Sequence, residues 1–151
     1  MQPTPKGWPR LSASVYYDDA AAAIDWLCAA FGFEVRMKVE GDAGRIIHSE
    51  LTYGEAVVMV AQAGANSNHP DSPAGASPKS LGGKITQGLM LYVDNAEAHC
   101  AQARAAGANV VEEPKVHDYG PDDWADRSYG ALDCEGHMWW ITERLRGPAG
   151  E

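Results

Sequence analysis

The sequence predicts an α+β fold of two tandem β-α-β-β-β modules, and two observations predict it. The order strand, helix and three short strands occurs twice along the 151 residues. A shift of the chain by 75 residues also brings matching residues together, as a duplicated unit requires. The modules are expected at residues 9–62 and 85–145, joined by a flexible linker loop at 63–84. Residues 1–8 form an N-terminal extension and residues 146–151 a C-terminal tail.

The first module begins with a strand and a helix. Residues 11–17 have the β-branched and aromatic content of a strand. Asp18 and Asp19 supply N-cap chemistry for a helix at 20–31, and Gly32 ends it in a position where glycine is favoured. Three short strands follow, at residues 35–40, 45–53 and 56–62.

The second module repeats this order. Residues 87–93 predict a strand, Asp94 a helix cap, residues 96–106 a helix and Gly107 its end. Short strands are expected at 110–112, 127–133 and 137–143. The 75-residue shift places Tyr17 on Tyr92, Asp19 on Asp94, Gly32 on Gly107 and Val35 on Val110.

Two segments have the composition of loops. Residues 63–84 contain three prolines and four glycines among polar residues, which is typical of a mobile loop. Residues 114–126 carry Tyr119 and Trp124, and a loop with exposed aromatic side chains is expected to act as a lid over a binding site.

The charge balance excludes several classes of partner. Acidic residues outnumber basic ones 21 to 12, and the net charge is −9. This balance disfavours nucleic acid and anionic membranes, and it either attracts cationic small molecules or only keeps the protein in solution. The three cysteines lack metal-ligand spacing and are expected to be reduced. The first ten residues lack the apolar stretch of a signal peptide, so a cytoplasmic location is predicted.

Two segments carry a family resemblance. Residues 129–139, Tyr-Gly-Ala-Leu-Asp-Cys-Glu-Gly-His-Met-Trp, resemble the closing strand of the vicinal oxygen chelate superfamily, with Cys134 where proline is usual. The first helix ends in Phe31-Gly32-Phe33, which is similar to the helix end of the same family. That superfamily contains glyoxalase I, bleomycin-resistance proteins and extradiol dioxygenases. The resemblance implies that each module curls into a half-barrel and that the two enclose a shared cavity.

The resemblance also allows a test for the metal site of the enzymatic members. Those members bind one divalent ion with side chains from the first and last strands of each module. The matching positions here are Ser12, Met59, Gln87 and Trp140. Divalent ions of this kind need imidazole or carboxylate donors. The sequence therefore predicts no metal site, which argues against glyoxalase I or dioxygenase chemistry.

His48 and Glu50 are weak candidates for catalysis. They lie two residues apart in a strand and so share one face. They offer either a general base with an orienting carboxylate or a polar clamp for a cationic ligand. Alternatively, they belong to a solvated strand face whose buried side is formed by Ile47, Ser49 and Leu51.

Alternating strand positions define a candidate pocket for a flat or amphipathic organic molecule. The aromatic members either line this pocket or fill an ordinary core. The candidate ligand-binding residues are Ser12, Ser14, Tyr16, His48, Glu50, Met59, Gln87, Tyr119, Trp124 and Trp140.

The function expected from these observations is binding of a small organic molecule, cationic or aromatic, without metal or cofactor, as in bleomycin-resistance proteins. The alternative is an enzyme of the same superfamily, a lyase, isomerase or dioxygenase of unknown substrate. A third interpretation is a partner domain that has lost its ligand. A homodimer is expected, because each small sheet has edges that need covering.

Overall fold

A computed structural model describes residues 1–64, 69–148 and 150. The chain forms two compact units, Met1–Gly83 and Lys84–Glu151. Within the described residues, each unit contains one four-stranded mixed sheet and one α-helix, and the first unit also has two short 3-10 helices. The predicted α+β fold of two β-α-β-β-β modules is confirmed. Part of the predicted linker loop, residues 65–68, lies outside the described residues.

The first unit has the strand order β1-β4-β3-β2, with β1 parallel to β4 and the other pairs antiparallel. Within the predicted linker, the chain forms a bridge between Gly64 and Gly75 and a short 3-10 helix, Pro78–Leu81. The regular elements are β1 (Ala13–Tyr17), α1 (Ala20–Phe31), β2 (Glu34–Glu40), β3 (Ile46–Tyr53) and β4 (Ala56–Gln62).

Helix α1 covers one face of this sheet. The carboxylate of Asp19 accepts a hydrogen bond from the Ala22 amide at 3.0 Å and caps the helix, and Gly32 ends it at φ 77°. Leu27 is completely buried, as are Val15 and Val60 on the sheet. Because side chains alternate along a strand, the neighbours of these residues point to the opposite face. We call that opposite face the open face.

The second unit has the order β5-β8-β7-β6, again with one parallel pair, β5 with β8. Trp139, Tyr129 and Ile141 are buried and form its core with α2. Arg146, assigned to the tail from the sequence, is instead the last residue of β8 and pairs with Ala125. The elements are β5 (Gly88–Tyr92), α2 (Ala96–Ala105), β6 (Asn109–Asp118), β7 (Ala125–Leu132) and β8 (Met138–Arg146).

The lid segment predicted at 114–126 is shorter than expected. Strand β6 continues to Asp118, and only residues 119–124 separate it from β7. Pro114 lies inside β6 next to a register shift between Glu112 and Lys115. Because β6 is an edge strand and the ladder is irregular there, the missing amide of proline does not break the sheet.

The cap of α2 also differs from the prediction. Asn95, not Asp94, accepts the hydrogen bond from the Ala98 amide, at 2.8 Å. The repeat through the first strand and helix start is therefore 76 residues, which matches buried Val15 with buried Leu91. The 75-residue shift aligns residues of identical type. In the structure, however, the buried strand positions and the helix cap repeat after 76 residues.

The described part of the chain contains no helix that is both long and apolar enough to cross a bilayer.

Candidate functional site

The open face of the first unit gathers several predicted site residues. Ser14 pairs with Met59 across β1 and β4. Ser12, just before β1, donates a hydrogen bond from Oγ to the Val57 carbonyl oxygen at 2.6 Å. The residues that the sequence placed in one pocket and that share this part of the first unit are Ser12, Ser14, Tyr16, His48, Glu50 and Met59.

A hydrogen-bonded charge cluster lies on this face, and sequence analysis missed one of its members. The Arg36 Nε atom donates to Glu50 Oε2 at 2.7 Å, and His48 Nε2 lies 3.0 Å from Glu50 Oε1. Only about a tenth of the Glu50 side chain is exposed. Both carboxylate oxygens are thus engaged within the protein, and a cationic ligand would have to compete with Arg36. Arg36 lies at a register shift in β2, between Val35, which pairs with Leu51, and Met37, which pairs with Glu50.

The same cluster has the geometry of a base with an orienting carboxylate. Glu50 Oε1 accepts from His48 Nε2–H, which leaves Nδ1 as the acceptor in the neutral ring. The His48 side chain is 41% exposed and accessible to a small molecule. On the opposite side of β3, Ser49 and Leu51 are buried as expected, whereas Ile47 is exposed.

The cluster predicts a specific pH dependence. The His48 hydrogen bond, and after it the Arg36 ion pair, lower the pKa of Glu50 from its ordinary value of 4.5. A lowered folded-state pKa means that stability is present above the unfolded pKa and is lost as the pH falls through the folded pKa. We expect the stability of the Glu50→Gln variant to fall less between pH 5 and pH 3 than that of the wild type, as measured by urea unfolding. Glu55→Gln, at an exposed turn, should keep the wild-type slope; equal slopes for all three proteins would contradict the prediction.

Tyr16 is covered by the loop that precedes the second unit. A Cβ atom at Gly75 would overlap the Tyr16 ring. The Gly75 carbonyl oxygen accepts from the Gly64 amide at 2.8 Å, which holds the loop in place. Glycine is therefore required at this point by the close approach of backbone and ring.

The open face of the second unit carries Trp140 in an unusual setting. Gly88 on β5 and Gly130 on β7 flank it. A Cβ atom at Gly88 would lie 3.6 Å from Trp140 Cδ1, and one at Gly130 would lie 3.0 Å from Trp140 Cζ3. Opposite edges of the indole thus come close to both neighbouring strands at positions where neither has a side chain. The ring remains 39% exposed, with Met90 beside it on β5, 63% exposed.

An arginine surrounded by aromatic rings lies further along this face. The Arg144 guanidinium carbon lies 5.5 Å from the Tyr92 ring centre and 5.8 Å from the Trp124 ring centre. Arg144 also donates to the Tyr92 hydroxyl at 2.9 Å and to Asp126. Tyr119 packs beside Trp124 with ring centres 5.6 Å apart. The two predicted lid aromatics therefore lie together, next to Arg144.

Sequence analysis missed Arg144, Tyr92 and Asp126. A period of two from Trp140 along β8 would have placed Arg144 on the same face, but the strand was expected to end at residue 143. The pairing of Asp126 with Arg144 depends on the register of β7 and β8, which the sequence does not specify.

The donor set does not fit the metal site of the enzymatic relatives. With the 76-residue repeat, the position equivalent to Ser12 is Gly88, not Gln87, which lies just before β5. Met59 and Trp140 remain equivalent, since Val60 and Ile141 next to them are both buried. Glycine and indole supply no metal donor, and the Ser12 hydroxyl is engaged with Val57. Among the described residues, no group of three or more His, Cys, Asp or Glu side chains is arranged to hold a metal ion.

The repeated β-α-β-β-β fold defines a class of proteins. Residues 11–141 match the family model of the Glyoxalase/Bleomycin resistance protein/Dioxygenase superfamily. The chain belongs to this superfamily, which confirms the resemblance read from the sequence.

Individual proteins are also similar to this chain in sequence or in structure. The uncharacterized protein Mb0911c of Mycobacterium bovis is 33% identical over 142 residues, which cover 91% of this chain and 85% of that protein. The crystal structure of TioX from Micromonospora sp. ML1 is similar with a TM-score of 0.67 and 28% identity, covering 91% of this chain and 99% of TioX. Lactoylglutathione lyase from Agrobacterium tumefaciens shares the fold, with a TM-score of 0.58 and 18% identity over 92% of this chain and 94% of the lyase.

Proposed function

We propose that this protein binds a small planar organic molecule, without a metal ion, as the bleomycin-resistance members of its superfamily do. The observation that carries the proposal is the Trp140 indole, which lies between Gly88 and Gly130 and is 39% exposed. A planar ring held between two strands in this way offers a stacking surface that needs no rearrangement before a ligand binds. Met90 extends the apolar area beside it.

The polar end of the proposed site is formed by Arg144 and its partners. Tyr92 and Trp124 flank the guanidinium, and Asp126 balances its charge. Because Asp126 neutralises Arg144 locally, any preference for cationic ligands has to come from the net charge of −9 of the whole chain. This attraction acts at long range, and salt would screen it. In the first unit, Glu50 attracts a cation only where the ligand displaces Arg36. Gln87 remains a proposed ligand contact.

Trp140→Leu tests the proposal. We expect wild-type protein to bind the planar cationic dye acridine orange saturably and to bind quinuclidinium, a compact cation of equal charge, at least tenfold more weakly. Trp140→Leu should weaken dye binding about tenfold, since stacking on an indole contributes on the order of 1 kcal/mol beyond area burial. Trp26→Leu, on helix α1, serves as the control and should bind the dye like the wild type. Equal dye affinity of Trp140→Leu and the wild type in a fluorescence titration would refute the site.

The second candidate function is an enzyme of the same superfamily that uses His48 as a base. The observation that favours it is the 3.0 Å contact between His48 Nε2 and the buried Glu50 carboxylate. Elemental analysis of the purified protein tests the metal-dependent form of this second candidate. Stoichiometric nickel, zinc, iron or manganese would favour a metal-dependent enzyme over the metal-free binder.

We also propose a cytoplasmic location, as predicted from the sequence.

We further propose that two copies of the chain associate as a homodimer. All seven residues of the edge strand β2 are exposed, including Val35, Met37 and Val39. An exposed apolar edge is a site for pairing with another chain. We expect light scattering at micromolar concentration to give twice the 16.2 kDa mass of the chain. A mass equal to that of one chain would contradict the dimer.

A further inference from the structure

We propose a second ligand site, independent of the function proposed above, in a groove of the first unit, and we infer that it takes a small organic carboxylate. The N-terminal residues 4–9 form one wall of the groove, and Arg36 with the β3–β4 turn forms the other. The volume is about 450 Å³, within the range of small-molecule sites. None of the ten ligand residues predicted from the sequence lines it.

The N-terminal wall is attached to the sheet through one arginine. The Trp8 amide donates to the Pro5 carbonyl oxygen at 3.0 Å, which turns the chain. The Arg36 guanidinium carbon lies 4.6 Å from the Trp8 ring centre, and Arg36 Nη1 donates to the Gly7 carbonyl oxygen. The segment assigned as an N-terminal extension is thus part of a structured groove.

Two cationic side chains, Arg36 and Lys6, line the groove. Arg36 Nε is held by Glu50 at 2.7 Å and Nη1 by Gly7, whereas Nη2 has no partner among the described residues. Lys6 lines the same groove and forms no ion pair with any described residue. Glu55 is the one acidic residue among those that line the groove. A guanidinium that is already oriented and a second cation with unused donors are suited to a carboxylate.

The other residues that line the groove determine which uncharged part of a ligand would fit beside the carboxylate. Trp8, Pro5, Pro9 and Val57 supply apolar surface, and Thr52 adds a hydroxyl group. Because Glu50 and Gly7 hold Arg36 before any ligand arrives, little side-chain freedom is lost on binding. The groove is therefore complementary to an aromatic or aliphatic group that carries one carboxylate.

Calorimetric titration with 2-naphthoate and with its neutral counterpart 2-naphthamide tests the site. We expect saturable binding of 2-naphthoate and at least tenfold weaker binding of 2-naphthamide. Lys6→Gln should weaken 2-naphthoate binding at least fivefold, and Lys84→Gln, outside the groove, should leave it unchanged. Equal binding of the two compounds, no saturable binding of 2-naphthoate, or no effect of Lys6→Gln would overturn the proposal.

Two tryptophan variants locate the bound compound and separate this site from the Trp140 surface. Trp8→Leu should weaken 2-naphthoate binding at least fivefold, whereas Trp140→Leu should leave it unchanged. Loss of binding in Trp140→Leu but not in Trp8→Leu would overturn the groove assignment and support the function proposed above. Thermal unfolding of each variant shows whether it is folded at the titration temperature.

Discussion

Replacing Asp133 with alanine is expected to destabilise the second unit by about 3 kcal/mol, because several buried donors lose one shared acceptor. Asp133 Oδ1 accepts from the amides of Glu135, Gly136 and His137 at 3.0 to 3.1 Å. Its Oδ2 accepts from Trp139 Nε1 at 3.0 Å. Trp139 is 1% exposed, so its N–H group cannot turn to water without displacing the core.

Urea unfolding of three variants measures this effect. Asp133→Asn keeps one oxygen acceptor but presents an NH2 group where the second oxygen was. We therefore expect its free energy of unfolding to lie between those of the wild type and Asp133→Ala. Asp94→Ala is the matched control, since the structure assigns the cap of α2 to Asn95 and not to Asp94. Its effect should stay within about 0.5 kcal/mol, as for ordinary surface substitutions. A loss in Asp133→Ala no larger than in Asp94→Ala would contradict the role assigned to Asp133.

Replacing Gly130 with alanine is expected to weaken binding of the planar dye about fivefold, which corresponds to about 1 kcal/mol and is less than the effect of removing the ring. The new Cβ atom would lie 2.7 Å from Met138 Cε and 3.0 Å from Trp140 Cζ3. The flexible methionine end can move away, but the rigid indole has to shift by a few tenths of an ångström at its six-membered ring. The stacking surface would then be displaced from its position between the two glycines.

Gly88→Ala provides the control at the other end of the same ring. Its Cβ atom would lie 3.6 Å from Trp140 Cδ1, an ordinary van der Waals contact. We expect dye affinity within twofold of the wild type for this variant. The proposed orientation of the indole would be wrong if the two alanine variants bound the dye equally well in the same fluorescence titration.

Local signals in the sequence predicted the helices well. Asp19 as a cap and Gly32 as a terminator bounded α1 correctly, because capping depends on a few neighbouring backbone groups. The second helix shows the limit of such signals. Asp94 and Asn95 are both good cap residues, and only the packing of α2 on its sheet selected Asn95.

The candidate site depended more strongly on contacts between distant residues. Trp140 and Met59 lie on strand faces opposite to those that pack on the helices, a placement that follows from alternation along a strand, which is a local property. The pairing of Arg36 with Glu50 depends on the register between β2 and β3, and the position of Arg144 beside Tyr92 requires the parallel pairing of β5 with β8. Neither feature has a signature in the residues that form it.

The sequence by itself determined the α+β class, the two modules, the superfamily and the poor fit of the expected positions to a metal ion. These follow from residue order, capping chemistry and donor chemistry, which neighbouring residues decide. Only the tertiary structure decided that Glu50 is paired with Arg36, that Trp140 lies between Gly88 and Gly130, and that residues 4–9 form one wall of a groove. The physical reason is that strand register and backbone approach are set by packing between segments far apart in the chain.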